Sequence, residues 1–187
     1  IVYVNQVGGQ DELVFDGGSF AVDAAGQVIA AAPNFEEGRY WLQADFSGPA
    51  PVLGGQHVSP PQEEIAATWQ ALVLGVRDYV NKNRFRGVVL GLSGGIDSAL
   101  TLAVAVEALG AERVEAVMMP FRYTSQMSVE DAALQSRLLG VAHKVISIEP
   151  IYEAFMEGLA QEFAGTAVDT TGENLQARCR GVLLMSV

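Results

Sequence analysis

From residue 63 onward the apolar residues fall into two rhythms that alternate along the chain. Ile65, Trp69, Leu72, Val73, Val76 and Val80 recur three or four positions apart, the spacing of one helical face, and Asn81-Lys82-Asn83 predicts where that helix ends. Short apolar runs then predict strands over 87–92, 114–119 and 144–148. Segments of helical period predict helices over 97–109, 129–139 and 151–163, and a last helical run occupies 181–187. Strands alternating with helices predict an α/β fold: a Rossmann-like parallel sheet with helices on both faces.

Residues 1–46 follow a different pattern. Leu13-Val14-Phe15, Ser19-Phe20-Ala21-Val22 and Gln27-Val28-Ile29-Ala30 read as short strands, with turns expected at Gly8-Gly9, Asp16-Gly17-Gly18 and Ala25-Gly26. The pattern is that of a β-meander. Between the two regions, 47–62 shifts to Gly, Pro, Ser and small residues, including Pro51, Pro60 and Pro61, and reads as a linker. The sequence begins at Ile1 without an initiator methionine and runs straight into a strand-like segment, and Val187 closes a helical run without a stop signal. Both ends are expected to lie inside a longer protein.

Composition narrows the class. Half of the 187 residues are hydrophobic and 18 % are charged, with a mean hydropathy of +0.24, so there is material for a core and disorder is excluded for most of the chain. Eleven basic residues stand against 22 acidic ones, a net charge of −11, and Arg39 is the only basic residue before position 63; a nucleic-acid partner is disfavoured. A single cysteine, Cys179, far in sequence from His57 and His143, offers neither an internal disulfide nor a zinc-ligand spacing, which fits a reducing cytoplasm. No apolar run approaches the roughly 18 residues that a membrane span needs. Cys179 and His143 read as packing residues rather than reactive ones.

In a parallel sheet, ligands bind beyond the carboxyl ends of the strands, so the turns after Leu92, Met119 and Ile148 are the positions of interest. The first of these carries the most chemistry: Gly91-Leu92-Ser93-Gly94-Gly95-Ile96-Asp97-Ser98, with a helix following at once. Adjacent glycines permit backbone conformations in which successive N–H groups converge on an anion. Ser93 and Ser98 offer hydroxyls, and the helix end contributes roughly half a positive charge. Asp97 would repel bare phosphate, but with Mg²⁺ between them its carboxylate becomes a ligand, so it points to a metal–nucleotide complex. The plain alternative makes Asp97 an N-cap and the glycines a tight turn. The segment lacks the Gly-Lys-Ser/Thr ending of a Walker loop and the glycine spacing of the dinucleotide fingerprint.

Ser93-Gly94-Gly95-Ile96-Asp97-Ser98 resembles the pyrophosphate loop of the ATP pyrophosphatase family, the adenine nucleotide alpha hydrolase-like enzymes that activate carboxyl or carbonyl groups by adenylation. Met118-Met119-Pro120-Phe121-Arg122-Tyr123-Thr124-Ser125, then Ser128-Val129-Glu130-Asp131-Ala132, and Glu173-Asn174-Leu175-Gln176-Ala177-Arg178-Cys179-Arg180 are similar to segments of the NAD⁺ synthetases. Residues 5–19, from Asn5 to Ser19, resemble the closing part of a nitrilase-like glutaminase domain, an α/β sandwich.

The resemblance implies the glutamine-dependent arrangement: 1–46 ends the glutaminase domain, 47–62 links, and 63–187 begins the synthetase domain. It implies ATP and Mg²⁺ as cofactors, deamido-NAD⁺ as the acyl substrate, glutamine or ammonia as nitrogen donor, and a homo-oligomer formed through the synthetase domain, where part of the 65–80 helical face could contribute. Gly91 to Ser98 would hold ATP, Asp97 the metal, and Asn174 and Arg178 deamido-NAD⁺. Read without the family, Asn174 is a helix cap and Arg178 a solvated surface residue. Tyr123, Thr124 and Ser125 read equally as a turn with an N-cap or as a loop near the nucleotide. The glutaminase nucleophile would lie before Ile1 and a second metal ligand after Val187, so a polypeptide of this length is expected to be inactive alone. Rival readings are another amidating relative such as a GMP synthetase, an RNA-modifying relative, and a non-catalytic ATP-binding module.

Overall fold

A computed structural model describes residues 1–55, 57–164 and 171–187, which divide into two compact units, Ile1–Arg84 and Phe85–Val187. The first unit contains β1 (Val2–Tyr3), β2 (Val7–Gln10), β3 (Leu13–Asp16), β4 (Phe20–Val22), β5 (Val28–Ala31), β6 (Leu42–Asp45), β7 (Val52–Gly55) and helix α1 (Glu64–Lys82). Its strands do not form one meander. β1, β4 and β5 make an antiparallel sheet in the order β1-β4-β5, while β2 pairs only with β3 and β6 only with β7. Of the predicted turns, 23–26 is one, closed by Asp23 Oδ1 accepting from the N–H groups of Ala25 and Gln27 at 2.8 and 2.9 Å.

Gly8-Gly9 is not a turn but the middle of β2, and the reason is tertiary. Helix α1 lies against β2 so closely that a Cβ on Gly9 would stand 3.2 Å from both the Gly75 Cα and the Asp78 Cβ. Glycine in a strand interior marks such an approach of two backbones. The contact is fixed by one carboxylate and one ammonium. Asp78 Oδ2 accepts from the Gly9 N–H at 2.8 Å, Lys82 Nζ donates to the Gly9 carbonyl at 2.6 Å, and the two side chains pair at 3.1 Å. Burial raises the Asp78 carboxyl's pKa, but the Gly9 N–H and Lys82 outweigh it, leaving the group below its usual range.

The stretch expected to be a linker carries structure as well. β7 falls inside 47–62, antiparallel to β6, and Val58 bridges to Ala31. On α1 the packed stripe is Val73, Leu74 and Val80, whereas Ile65 is 86 % exposed, so the buried face is narrower than the apolar pattern suggests.

The second unit holds β8 (Val88–Gly91), α2 (Ile96–Leu109), β9 (Val114–Met118), α3 (Gln126–Leu139), β10 (Ala142–Val145), α4 (Glu149–Gly158) and α5 (Thr171–Ser186). All three strands are parallel, in the order β10-β9-β8, as the alternation of strands and helices predicted. β9 is the buried centre. Val117 joins a cluster with Met119, Phe121, Ile148 and Cys179 of α5, while Ala116 and Met118, alternating with it, lie on the opposite face, which α2 and α3 cover. Apolar burial on both faces accounts for the near-continuous hydrophobic run of β9.

The Asp78 contact generates a pH prediction. A carboxyl whose folded pKa is lowered contributes stability above the unfolded carboxylate range, and loses it as pH falls through the lowered value. Asp78→Asn in the gene product is expected to cost about 1–3 kcal/mol at neutral pH. Denaturant unfolding measured at falling pH should show the gap from wild type closing in acid; a gap independent of pH would refute the ionic contact.

Candidate active site

β8 delivers the chain to the carboxyl edge of the sheet, and the Leu92 N–H donates to the Val117 carbonyl at 2.9 Å, extending the ladder one residue past the strand. Leu92 is buried, so the turn starts from a fixed point. Gly94 has φ +80°, and a Cβ there would collide with the Ser128 backbone, lying only 2.6 Å from its Cα. Gly95 differs: it is extended, at φ −89° and ψ 156°, and serves as the N-cap of α2 without any side-chain oxygen to satisfy the helix.

The two serines stabilise the turn itself. Ser98 Oγ donates to the Gly95 carbonyl at 2.9 Å and accepts from the Ser93 N–H at 3.1 Å. With the Ser98 proton so placed, the Ser93 hydroxyl donates across the 3.0 Å contact between the two oxygens, and it accepts a long 3.3 Å bond from the Gly95 N–H. The hydroxyls expected to face a ligand are bonded to each other and to the turn's own backbone. The outward donors are instead the N–H groups of Ile96, Asp97 and Ser98, which as the first residues of a helix have no intrahelical acceptor. Asp97 stands exposed in this first turn and is not the cap, so its carboxylate is left outside the helix's own bonding.

Beside this turn is a cleft of about 420 Å³ lined by Gly91, Leu92, Ser93, Met119, Thr124 and Arg180, with Met118 and Leu184 completing it. Thr124 is held there by its own turn, its Oγ1 accepting from the Phe121 N–H at 2.9 Å. Ser125 is the N-cap of α3, accepting from the Ser128 N–H at 3.1 Å, and Tyr123 is 82 % exposed. The three therefore divide: Thr124 reaches the cleft, Ser125 caps, and Tyr123 does neither.

Of the predicted residues, Gly91, Leu92 and Ser93 line the cleft, with Gly94 to Ser98 forming the adjoining helix entrance. Asn174 and Arg178, one helical turn apart on α5, share an exposed face and do not line it. Asn174 is inside the helix rather than capping it. The cleft arginine is Arg180, which the sequence reading passed over. A usable signal was present: Leu175, Cys179 and Leu183 mark the buried stripe of α5, and Arg180, four residues before the cleft residue Leu184, lies at its edge. Cys179 is fully buried; desolvation raises its thiol pKa against the opposing pull of Arg180, which fits packing and not a nucleophile. Among the described residues no cluster of three or more His, Cys, Asp or Glu could hold a metal, and no helix is long and apolar enough to cross a membrane.

A parallel sheet with helices on both faces, and a glycine turn entering a helix at its carboxyl edge, defines a Rossmann-like α/β domain. Residues 68–187 match the NAD synthase family. Over its whole length the chain is 50 % identical to a glutamine-dependent NAD(+) synthetase of Acinetobacter baylyi, of which it covers 34 %. The structure of the glutamine-dependent NAD+ synthetase of Acinetobacter baumannii in complex with ADP superposes with a TM-score of 0.94 at 52 % identity, covering all of this chain and 35 % of that one. An NMN synthetase from Francisella tularensis matches 67 % of this chain and 50 % of its own at 33 % identity, with a TM-score of 0.58. The chain belongs to the NAD synthase family. It spans about a third of the length of the curated relatives it matches.

The geometry separates two neighbouring glycines that look alike in the sequence. Gly94→Ala must place a side chain at positive φ and against the Ser128 backbone, so it should cost about 1–3 kcal/mol of stability. Gly95→Ala meets nothing nearer than the Ser93 hydroxyl at 3.3 Å, at an ordinary φ, and should retain most of the stability. Thermal unfolding of the two variants checks this; equal effects would contradict the geometry.

Proposed function

We propose that the gene product carrying this sequence amidates deamido-NAD⁺ to NAD⁺ at the expense of ATP, taking nitrogen from glutamine or ammonia and releasing AMP and pyrophosphate. The observation that carries the reading is the open amino end of α2 beside the cleft, in a chain of the NAD synthase family. A carboxylate is a poor electrophile because its leaving group would be oxide. Transfer of the adenylyl group from ATP to the nicotinate carboxylate supplies AMP instead, which ammonia displaces.

In this reading the residues from Gly91 to Ser98 bind the phosphates. The N–H groups of Ile96, Asp97 and Ser98, with the helix dipole, stabilise charge that grows on the departing pyrophosphate. The exposed Asp97 carboxylate fits Mg²⁺, which commonly takes one or two carboxylates with substrate phosphates completing its shell. When bound there, Mg²⁺ would neutralise phosphate charge. Asn174 and Arg178, paired on one exposed face of α5, serve deamido-NAD⁺, through amide pairing and a guanidinium fork.

Residues 1–46 would close a nitrilase-like glutaminase domain, 47–62 connect it, and 63–187 open the synthetase domain, a division supported by the family match from residue 68. The exposed Ile65 and Leu72 of α1 leave apolar surface for a second copy, in keeping with a homo-oligomer working in the cytoplasm.

The test supplies the purified gene product with ATP, Mg²⁺ and ammonia, and follows pyrophosphate. Release should require deamido-NAD⁺ and fail with xanthosine monophosphate or nicotinate mononucleotide; release triggered by either of these instead overturns the substrate assignment. Asp97→Asn should remove pyrophosphate release while shifting stability by no more than about 1 kcal/mol, because the residue is exposed. Arg178→Ala should raise the KM for deamido-NAD⁺ more than that for ATP, and equal increases would reject its assignment.

A further inference from the structure

Arg180 is a half-buried guanidinium with few partners among the described residues. Its Nε–H donates to the Met119 carbonyl at the carboxyl end of β9, a long contact of 3.5 Å, and its side chain lines the cleft with Gly91, Ser93 and Thr124. Two other guanidinium groups pair with carboxylates, Arg122 with Glu149 at 2.6 Å and Glu153 at 3.0 Å and Arg77 with Asp78, while Arg113 donates to the Phe85 and Arg86 carbonyls. Among the described residues no ion pair includes Arg180, although the chain has 22 acids for 11 bases. Partial burial of a cation without a counter-ion is unfavourable, and an anionic ligand in the cleft would relieve it. The long Nε contact leaves the terminal Nη donors for bidentate contact with an oxyanion.

We infer that Arg180 is a ligand-contact residue: its guanidinium binds a phosphate group of the nucleotide in the cleft, with the Met119 carbonyl holding it in register. The inference rests on the ATP site proposed above and adds a residue to it. Arg180 is distinct in role from Arg178, since two positions along a helix are about 200° apart and the two side chains face different surroundings.

The test measures equilibrium binding of ATP and of adenosine to the wild-type gene product, Arg180→Gln and Arg180→Lys, together with the KM for ATP and for the nicotinate substrate. For Arg180→Gln, the expected result is ATP binding roughly 10- to 100-fold weaker, the loss of one charge-assisted contact, with adenosine unaffected. The KM for ATP should rise and that for the nicotinate substrate should not. Arg180→Lys keeps the charge without the fork and should show a smaller loss confined to ATP; it carries the comparison if Arg180→Gln unfolds early. Equal weakening of ATP and adenosine, unchanged ATP binding, or a rise confined to the nicotinate substrate overturns the assignment. Wild type that binds no ATP removes the nucleotide site itself, whereas wild-type binding with indifferent variants removes only Arg180 from it.

Discussion

The synthetase-like unit is organised around a helix amino end that the chain leaves open. Gly95 caps α2 without an oxygen, and both serine hydroxyls bond within the turn. Glycine in place of a capping Ser or Asn costs only a few tenths of a kcal/mol, so the fold gives up little stability to keep these donors outward. The geometry that makes this possible is imposed from outside the turn. The Ser128 backbone occupies the space a Gly94 side chain would need, so the position of α3 decides the path of the loop. α3 is itself fixed locally and at long range. Ser125 caps its first turn, and Gln135 donates from its Nε2 to the Ala99 carbonyl of α2 at 2.7 Å. The loop is thus braced by the two helices it lies between.

On the other side of the cleft entrance, residues 119–124 are held by β9 and α4. The ladder continues beyond the strands, the Ile146 N–H donating to Met118 at 2.9 Å and the Ile148 N–H to Pro120 at 3.2 Å. Arg122 with Glu149 and Glu153 looks like the fastening of this segment, yet exposed ion pairs contribute at most about 1 kcal/mol. Phe121 is the stronger anchor. It is buried against Ile148 and Cys179, with the Tyr152 ring 4.9 Å away, and full burial of such a side chain contributes about 2–3 kcal/mol.

The layout of this unit was legible because its information is local. Apolar runs of strand length alternate with helical periods, and a glycine pair followed by a helix needs no distant partner to be read. Part of what the sequence hid depends on partners far away in the chain. Gly8-Gly9 looks like a turn until Gly75 and Asp78 are placed against it, and the 47–62 segment looks like a tether until β7 finds β6. Ser93 and Ser98 have the composition of ligand donors, and only their mutual spacing reveals that they bond each other. Arg178 and Arg180 are chemically identical in a sequence. The phase of α5 against the buried Cys179 separates them, one toward solvent and the other toward the cleft.

Under the proposed function an acidic chain must bind a polyanion, an electrostatic problem that range resolves. Charges farther away than about 8–10 Å are largely screened at physiological salt, so a net charge of −11 acts mainly on the approach of a nucleotide and little on its final contacts. At contact distance the near field decides, and around the cleft it is positive on two sides: the dipole of α2 with its open N–H groups, and the guanidinium of Arg180, which has no ion pair among the described residues. Asp97 is the exception. It interacts favourably with the helix end, but its carboxylate opposes any oxyanion that takes the same donors. Under the proposed function this opposition discriminates: free polyphosphate is disfavoured by the acidic surface during approach and by Asp97 on arrival, and a nucleotide accompanied by a divalent cation is disfavoured by neither.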